Sequence, residues 1–136
     1  MIRLTLEQLP QLSQKIMDAL PAGGIVILQG DLSSGKTTFT QSFARYLGLN
    51  DVVTSPTFSL QQNYGDRLFH YDVYNYGFDK FMALGMMEEL ERPGYHLIEW
   101  GDDELINFLK KAGFETVVVK ITQENDTTRC YEVNHG

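Results

Sequence analysis

A three-layer α/β fold on a mixed sheet is the architecture that this 136-residue sequence predicts. Three observations predict it. Short apolar runs, "IVILQ" (Ile25–Gln29) and "HLIEW" (His96–Trp100), alternate with stretches of helical periodicity, as strands buried on both faces do. A glycine-rich segment, "GDLSSG" (Gly30–Gly35), joins the first run to a helical pattern. Strand-like segments that flank turn residues then add antiparallel strands, as a β-hairpin and at the C-terminal end. No repeat, low-complexity tract or linker divides residues 1–136, so one domain is expected.

Each element has its own signal. Leu9, Leu12, Ile16 and Leu20 recur at helical spacing, and "PAGG" (Pro21–Gly24) ends that helix. No hydroxyl residue stands at its expected start, near Leu9. Ile25–Gln29 reads as a central strand, followed by a loop over Gly30–Gly35. "KTTFTQSFARYLGL" then continues as a helix with Phe39, Phe43 and Leu47 on one face. "SLQQNY" (Ser59–Tyr64) and "LFHYDVY" (Leu68–Tyr74) flank "GDR" and read as a hairpin. Asp79–Leu90 reads as one helix, broken by "RPG" (Arg92–Gly94). His96–Trp100 is a second buried strand and Asp103–Lys111 a helix. "FETVVVKI" and "RCYEV" about "QENDT" supply two last strands.

Composition narrows the function classes. The 43% hydrophobic and 21% charged residues are the balance of a soluble globular protein. Apolar runs fall far short of a membrane span, and the N-terminal residues lack a secretion signal. Cys130 stands alone, which excludes an internal disulfide or a thiolate zinc cluster; a reduced, cytoplasmic protein is the simplest reading. A net charge of −7, with 11 basic residues and no basic run, leaves little means of gripping nucleic acid directly.

Gly30, Gly35, Lys36 and Thr37 fit G-x-x-x-x-G-K-[ST] at every fixed position. The spacing has a physical reason. Glycines let backbone amides converge on an anion, and the following helix aims its positive end at the same point. Lys36 would reach the β- and γ-phosphates and the Thr37 hydroxyl would ligate Mg2+. These features predict a P-loop NTPase-like sheet and a bound nucleoside triphosphate.

Such a loop needs an acidic residue at a neighbouring strand end to hold the metal. Asp72, which ends "LFHYD", and Glu99, which ends "HLIE", both qualify. Trp100 is suited either to core packing or to a nucleobase face. His70 and His96 lie on strands and read as structural, and no zinc spacing occurs. The G-x-S-x-G and N-K-x-D patterns are absent, which argues against nucleophilic hydrolase chemistry and against a guanine-specific switch.

"GDLSSGKTTF", "SPTF" (Ser55–Phe58), "HYDVY" (His70–Tyr74) and "EW" (Glu99–Trp100), in this order and spacing, resemble the TsaE (YjeE) family. These are small bacterial P-loop ATPases of tRNA threonylcarbamoyladenosine biosynthesis. The resemblance implies ATP and Mg2+ as cofactors. It implies Ser33, Ser34, Gly35, Lys36, Thr37 and Thr38 at the phosphates, with Trp100 near the base. It further implies Thr37 and Glu99 at the metal, Asp72 as a functional carboxylate and Thr57 as a γ-phosphate sensor in a covering loop. Three positions depart from the family pattern: Ser33-Ser34 for Gly-Ala, Asn75 for an arginine, and Gly101 for a proline.

The resemblance also implies partners. The family's ATPase docks on a TsaB–TsaD pair, whose TsaD transfers threonylcarbamoyl to adenosine in tRNA. On that reading tRNA is met only through the complex. Arg3, Arg45, Arg67, Arg92 and Arg129 form no recognisable finger motif, so hydrolysis by the chain alone is expected to be slow and raised by a partner. Asn75–Leu90, with Phe78, Phe81, Met82, Met86 and Met87, is either a docking face or ordinary helix core. A small-molecule or nucleoside kinase and a non-catalytic nucleotide-gated module are the competing functions.

Overall fold

The computed structural model describes residues 2–30, 36–49, 61–64, 67–72, 77–83, 85–99 and 103–135. Their strands are β1 (Ile2–Thr5), β2 (Gly24–Gln29), β3 (Gln61–Tyr64), β4 (Leu68–Asp72), β5 (Tyr95–Glu99), β6 (Thr116–Gln123) and β7 (Thr128–His135). The helices are α1 (Leu9–Ala19), α2 (Lys36–Tyr46), α3 (Gly77–Ala83), α4 (Met86–Leu90) and α5 (Asp103–Lys111).

All seven strands form one sheet in the order β1-β7-β6-β2-β5-β4-β3. The middle four, β6, β2, β5 and β4, run parallel. β3 adds to one edge and β7 with β1 to the other, all antiparallel. The sheet is therefore mixed, as the alternation of apolar runs and turn signals predicts. The expected hairpin is β3–β4, with Gln61 opposite Tyr71 and Tyr64 opposite Leu68.

Side-chain alternation along the buried strands makes two cores, one on each face. On one face Val26, Leu28, Leu68, Leu97, Val117 and Val119 pack against α1 and α2 through Leu12, Ile16, Phe39 and Phe43. On the other, Ile25, Ile27, Phe69, Tyr71 and Ile98 meet Phe81, Leu90, Leu105 and Leu109 of α3, α4 and α5. Helix, sheet and helix make the three layers. Among the described residues no helix is long and apolar enough to cross a membrane.

The structure changes two sequence readings. Residues 79–90 are not one helix: Gly85, at φ 76°, takes a left-handed conformation that ends one helix and begins another. Phe81 and Leu90 are core there, and Met82, Met86 and Met87 are half-buried against that core, so helix packing accounts for them. An N-terminal strand, β1, also precedes α1. Its four residues are too few for period-2 alternation to stand out. As the sequence indicates, no hydroxyl caps α1 near Leu9; the helix is entered through a short 3-10 turn over Leu6–Gln8. The Thr5 amide donates to Gln8 Oε1 at 2.9 Å, which is one half of a capping box, and Pro10 suits the first turn.

Candidate nucleotide site

Chain direction places the candidate site at the carboxyl ends of the parallel strands. From β2 the chain passes through α2 to β3 and β4, beyond β5 in the sheet. From β5 it passes through α5 on the opposite face to β6, beyond β2. The two connections leave neighbouring strands in opposite directions. That makes a topological switch point between β2 and β5, the place where open α/β sheets bind ligands.

The residues at this point are those of the glycine-rich motif. β2 ends at Gln29, and Gly30 follows at φ 151°, a conformation that side chains rarely adopt. Lys36 and Thr37 open α2, whose first-turn amides have no partners within the helix. Thr38 is half-buried one residue further on. Ser33, Ser34, Gly35, Thr57, Trp100 and Asn75 lie outside the described residues.

The second component is Glu99. It ends β5 and pairs in register with Leu28 of β2 on one side and Asp72 of β4 on the other. Both candidate carboxylate residues thus end neighbouring strands, one of them next to the strand that leads into the glycine-rich loop. Alternation puts Glu99 on the same sheet face as Leu97, the face covered by α2. Its side chain is 5% exposed. A carboxylate so buried needs a partner. His70 of β4 provides it, with Nε2 against Glu99 Oε2. With the carboxylate ionised, Nε2 carries the hydrogen and donates it.

Sequence reading treated His70 as a structural strand residue and missed this contact. The available signal was a polar residue inside "LFHY", a strand otherwise apolar on both faces, where a buried polar group must find a partner.

His96, in contrast, belongs to the opposite face. Its ring stacks on Phe69 at 4.6 Å and 9°, and the Arg92 guanidinium lies over the Phe69 ring, 4.7 Å from its centroid. Nε2 donates to the Arg92 carbonyl at 2.8 Å, so Nδ1 accepts from the Tyr71 hydroxyl at 2.7 Å. Burial is the main cause that pushes His96 below the usual histidine range, and the Arg92 charge acts the same way. It is a neutral core residue.

Comparison with known proteins identifies the family and the fold. The model of the family described as "Threonylcarbamoyl adenosine biosynthesis protein TsaE" matches residues 4–131. The chain belongs to the TsaE family. The TsaE protein of Bacillus subtilis is 43% identical over 81 residues, 57% of this chain and 51% of that protein. The Treponema pallidum TsaE is 41% identical over 86 residues, 61% of this chain and 64% of that protein. The match to the first relatives thus spans about half to two thirds of their length. The TsaE of Rickettsia conorii is 35% identical over 134 residues, 95% of this chain and 75% of that protein. A crystal structure of Bacillus YdiB superposes with a TM-score of 0.70 at 29% identity, covering 99% of this chain and 84% of that one. The TsaE chain described here therefore has the P-loop NTPase-like fold.

Proposed function

We propose that this TsaE-family chain binds ATP with Mg2+ at the carboxyl ends of β2 and β5 and hydrolyses it slowly. The turnover would serve a TsaB–TsaD complex in the cytoplasm as it threonylcarbamoylates adenosine in tRNA. The observation that carries the reading is the juxtaposition of two features. A strand–glycine–helix unit with Lys36 and Thr37 stands beside a buried carboxylate, Glu99, one strand away.

The donor chemistry fits the proposed ligands. The Thr37 hydroxyl and the Glu99 carboxylate are hard oxygen donors, which suit Mg2+ shared with phosphate oxygens. Lys36 and the amides that open α2 would hold the β- and γ-phosphates, aided by Ser33, Ser34, Gly35 and Thr38. Asp72, beside Glu99 in register, and Thr57 would orient the attacking water and the γ-phosphate, and Trp100 would face the base. Bound Mg2+ supplies positive charge against the phosphate oxygens. The residues supply position: buried donors and charges act strongly where water is excluded. The acidic chain leaves tRNA contact to its partners.

The test is single-turnover ATP hydrolysis with and without purified TsaB and TsaD, alongside co-purification in each nucleotide state. The expected result is nucleotide-dependent association and a slow intrinsic rate that rises with the partners. Many turnovers per second from the chain alone, unaffected by partners, contradicts the reading, as does failure to associate under every condition.

A further inference from the structure

We propose that His70 is a positioning residue whose imidazole fixes the Glu99 carboxylate for its role at the metal. The inference rests on Glu99 belonging to the nucleotide site.

The geometry singles His70 out. Its side chain is fully buried on β4, where Leu68, Phe69 and Tyr71 are buried with it. In register it stands opposite Leu97, while Glu99 lies two residues further along β5. The imidazole therefore spans the diagonal between strands to reach Oε2. Stability alone does not account for the pair. A buried ionic or polar pair gives no more stability than apolar residues of the same volume, and often less. What it provides is a single orientation. With Oε2 held by Nε2, carboxylate rotation is restricted and Oε1 is the oxygen left to accept from a metal or its water. The contact lies on the sheet face covered by α2, at the row of strand ends where Leu28, Glu99 and Asp72 align. Side chains that orient a metal-binding carboxylate in this way tune its affinity, typically by about 10–100-fold.

Two substitutions separate positioning from packing. In His70→Gln the side-chain amide nitrogen reaches the place of Nε2, whereas in His70→Asn it stops near the place of Nδ1. Both are uncharged and similar in polarity. The measurement is calorimetric ATP uptake against Mg2+ concentration, with uptake in excess EDTA as reference and thermal melting as the check on folding. His70→Asn is expected to raise the Mg2+ needed for half-maximal uptake by about 10–100-fold, with EDTA uptake unchanged. His70→Gln is expected to recover most of that loss. His70→Asn in a Glu99→Gln background is expected to add nothing further, since the two residues act as one unit. If the two His70 variants lower the melting temperature alike and leave the Mg2+ requirement unchanged while Glu99→Gln raises it, the inference is overturned and the site reading stands. If Glu99→Gln itself leaves the Mg2+ requirement unchanged, Glu99 is removed from the metal site and the inference goes with it.

Discussion

Replacing Tyr71 with phenylalanine tests the assignment of the two sheet faces to different tasks. Tyr71 is fully buried, and its hydroxyl donates to His96 Nδ1 at 2.7 Å. Tyr71→Phe keeps the ring and its contacts with Phe81 at 6.1 Å and His96 at 5.8 Å. The apolar transfer term is therefore nearly unchanged. The loss includes the hydrogen bond to His96, and Nδ1 is left as a buried acceptor; its alternative tautomer would orphan the Arg92 carbonyl instead. Phe69, stacked at 4.6 Å, limits access by water. Leaving one buried polar group unsatisfied costs about 1–3 kcal/mol. At an unfolding entropy of about 2.1 cal/mol/K per residue, that lowers the melting temperature by roughly 3–10 °C. Urea unfolding followed by far-UV circular dichroism measures the loss, and calorimetry at 25 °C measures ATP uptake. The expected outcome is reduced stability with unchanged ATP affinity. A loss below about 0.5 kcal/mol, the size of an ordinary surface change, refutes the hydrogen-bond reasoning. Weakened uptake by the folded variant refutes the separation of faces.

The same histidine predicts a pH dependence. His96 is held neutral in the folded chain by burial, while the Arg92 carbonyl and the Glu89 charge oppose the shift less strongly. The unfolded chain takes up a proton at this position below its ordinary value of about 6.5. Its contribution to stability is therefore complete above about pH 6.5 and is lost as pH falls from there through the lowered native value. Urea midpoints between pH 5 and 8 should show this slope, and His96→Leu should flatten it. Phe43→Ala removes a ring that contacts Phe39 at 5.7 Å and Tyr95 at 5.2 Å, and should cost about 3–5 kcal/mol in urea unfolding; a cost near 1 kcal/mol would mean that the α2 interface is looser than described. Gly30→Ala forces a side chain into φ 151° at the mouth of the loop, a strain of about 1–3 kcal/mol. ATP uptake should weaken while the far-UV spectrum stays native, and unchanged uptake would show that Gly30 does not shape the phosphate loop.

Much of this was legible because period and punctuation agree. Both apolar runs, Ile25–Gln29 and His96–Glu99, lie in neighbouring parallel strands, β2 and β5, buried on both sides. Glu99 at the end of the second run foreshadowed a buried carboxylate at the end of the strand next to β2. The unexpected parts each have a local cause. Gly85 interrupts an otherwise continuous helical stripe through a backbone conformation that apolar periodicity does not register. β1 gains its pairing from β7, more than a hundred residues away, so four residues of local pattern could not reveal it. The His70–Glu99 contact depends on β4 lying next to β5, a neighbour relation set by the crossover through α2 rather than by either strand's residues. Conversely, the carboxylate that the sequence could not choose between, Asp72 or Glu99, turns out to be two residues paired in one register row.

The measurement that bears most directly on the account is calorimetric titration of ATP, with Mg2+, into the intact chain and into Lys36→Ala. The account predicts saturable uptake by the first and its loss in the second, with circular dichroism unchanged between them. Absence of uptake by the intact chain, or equal uptake by both, would contradict it.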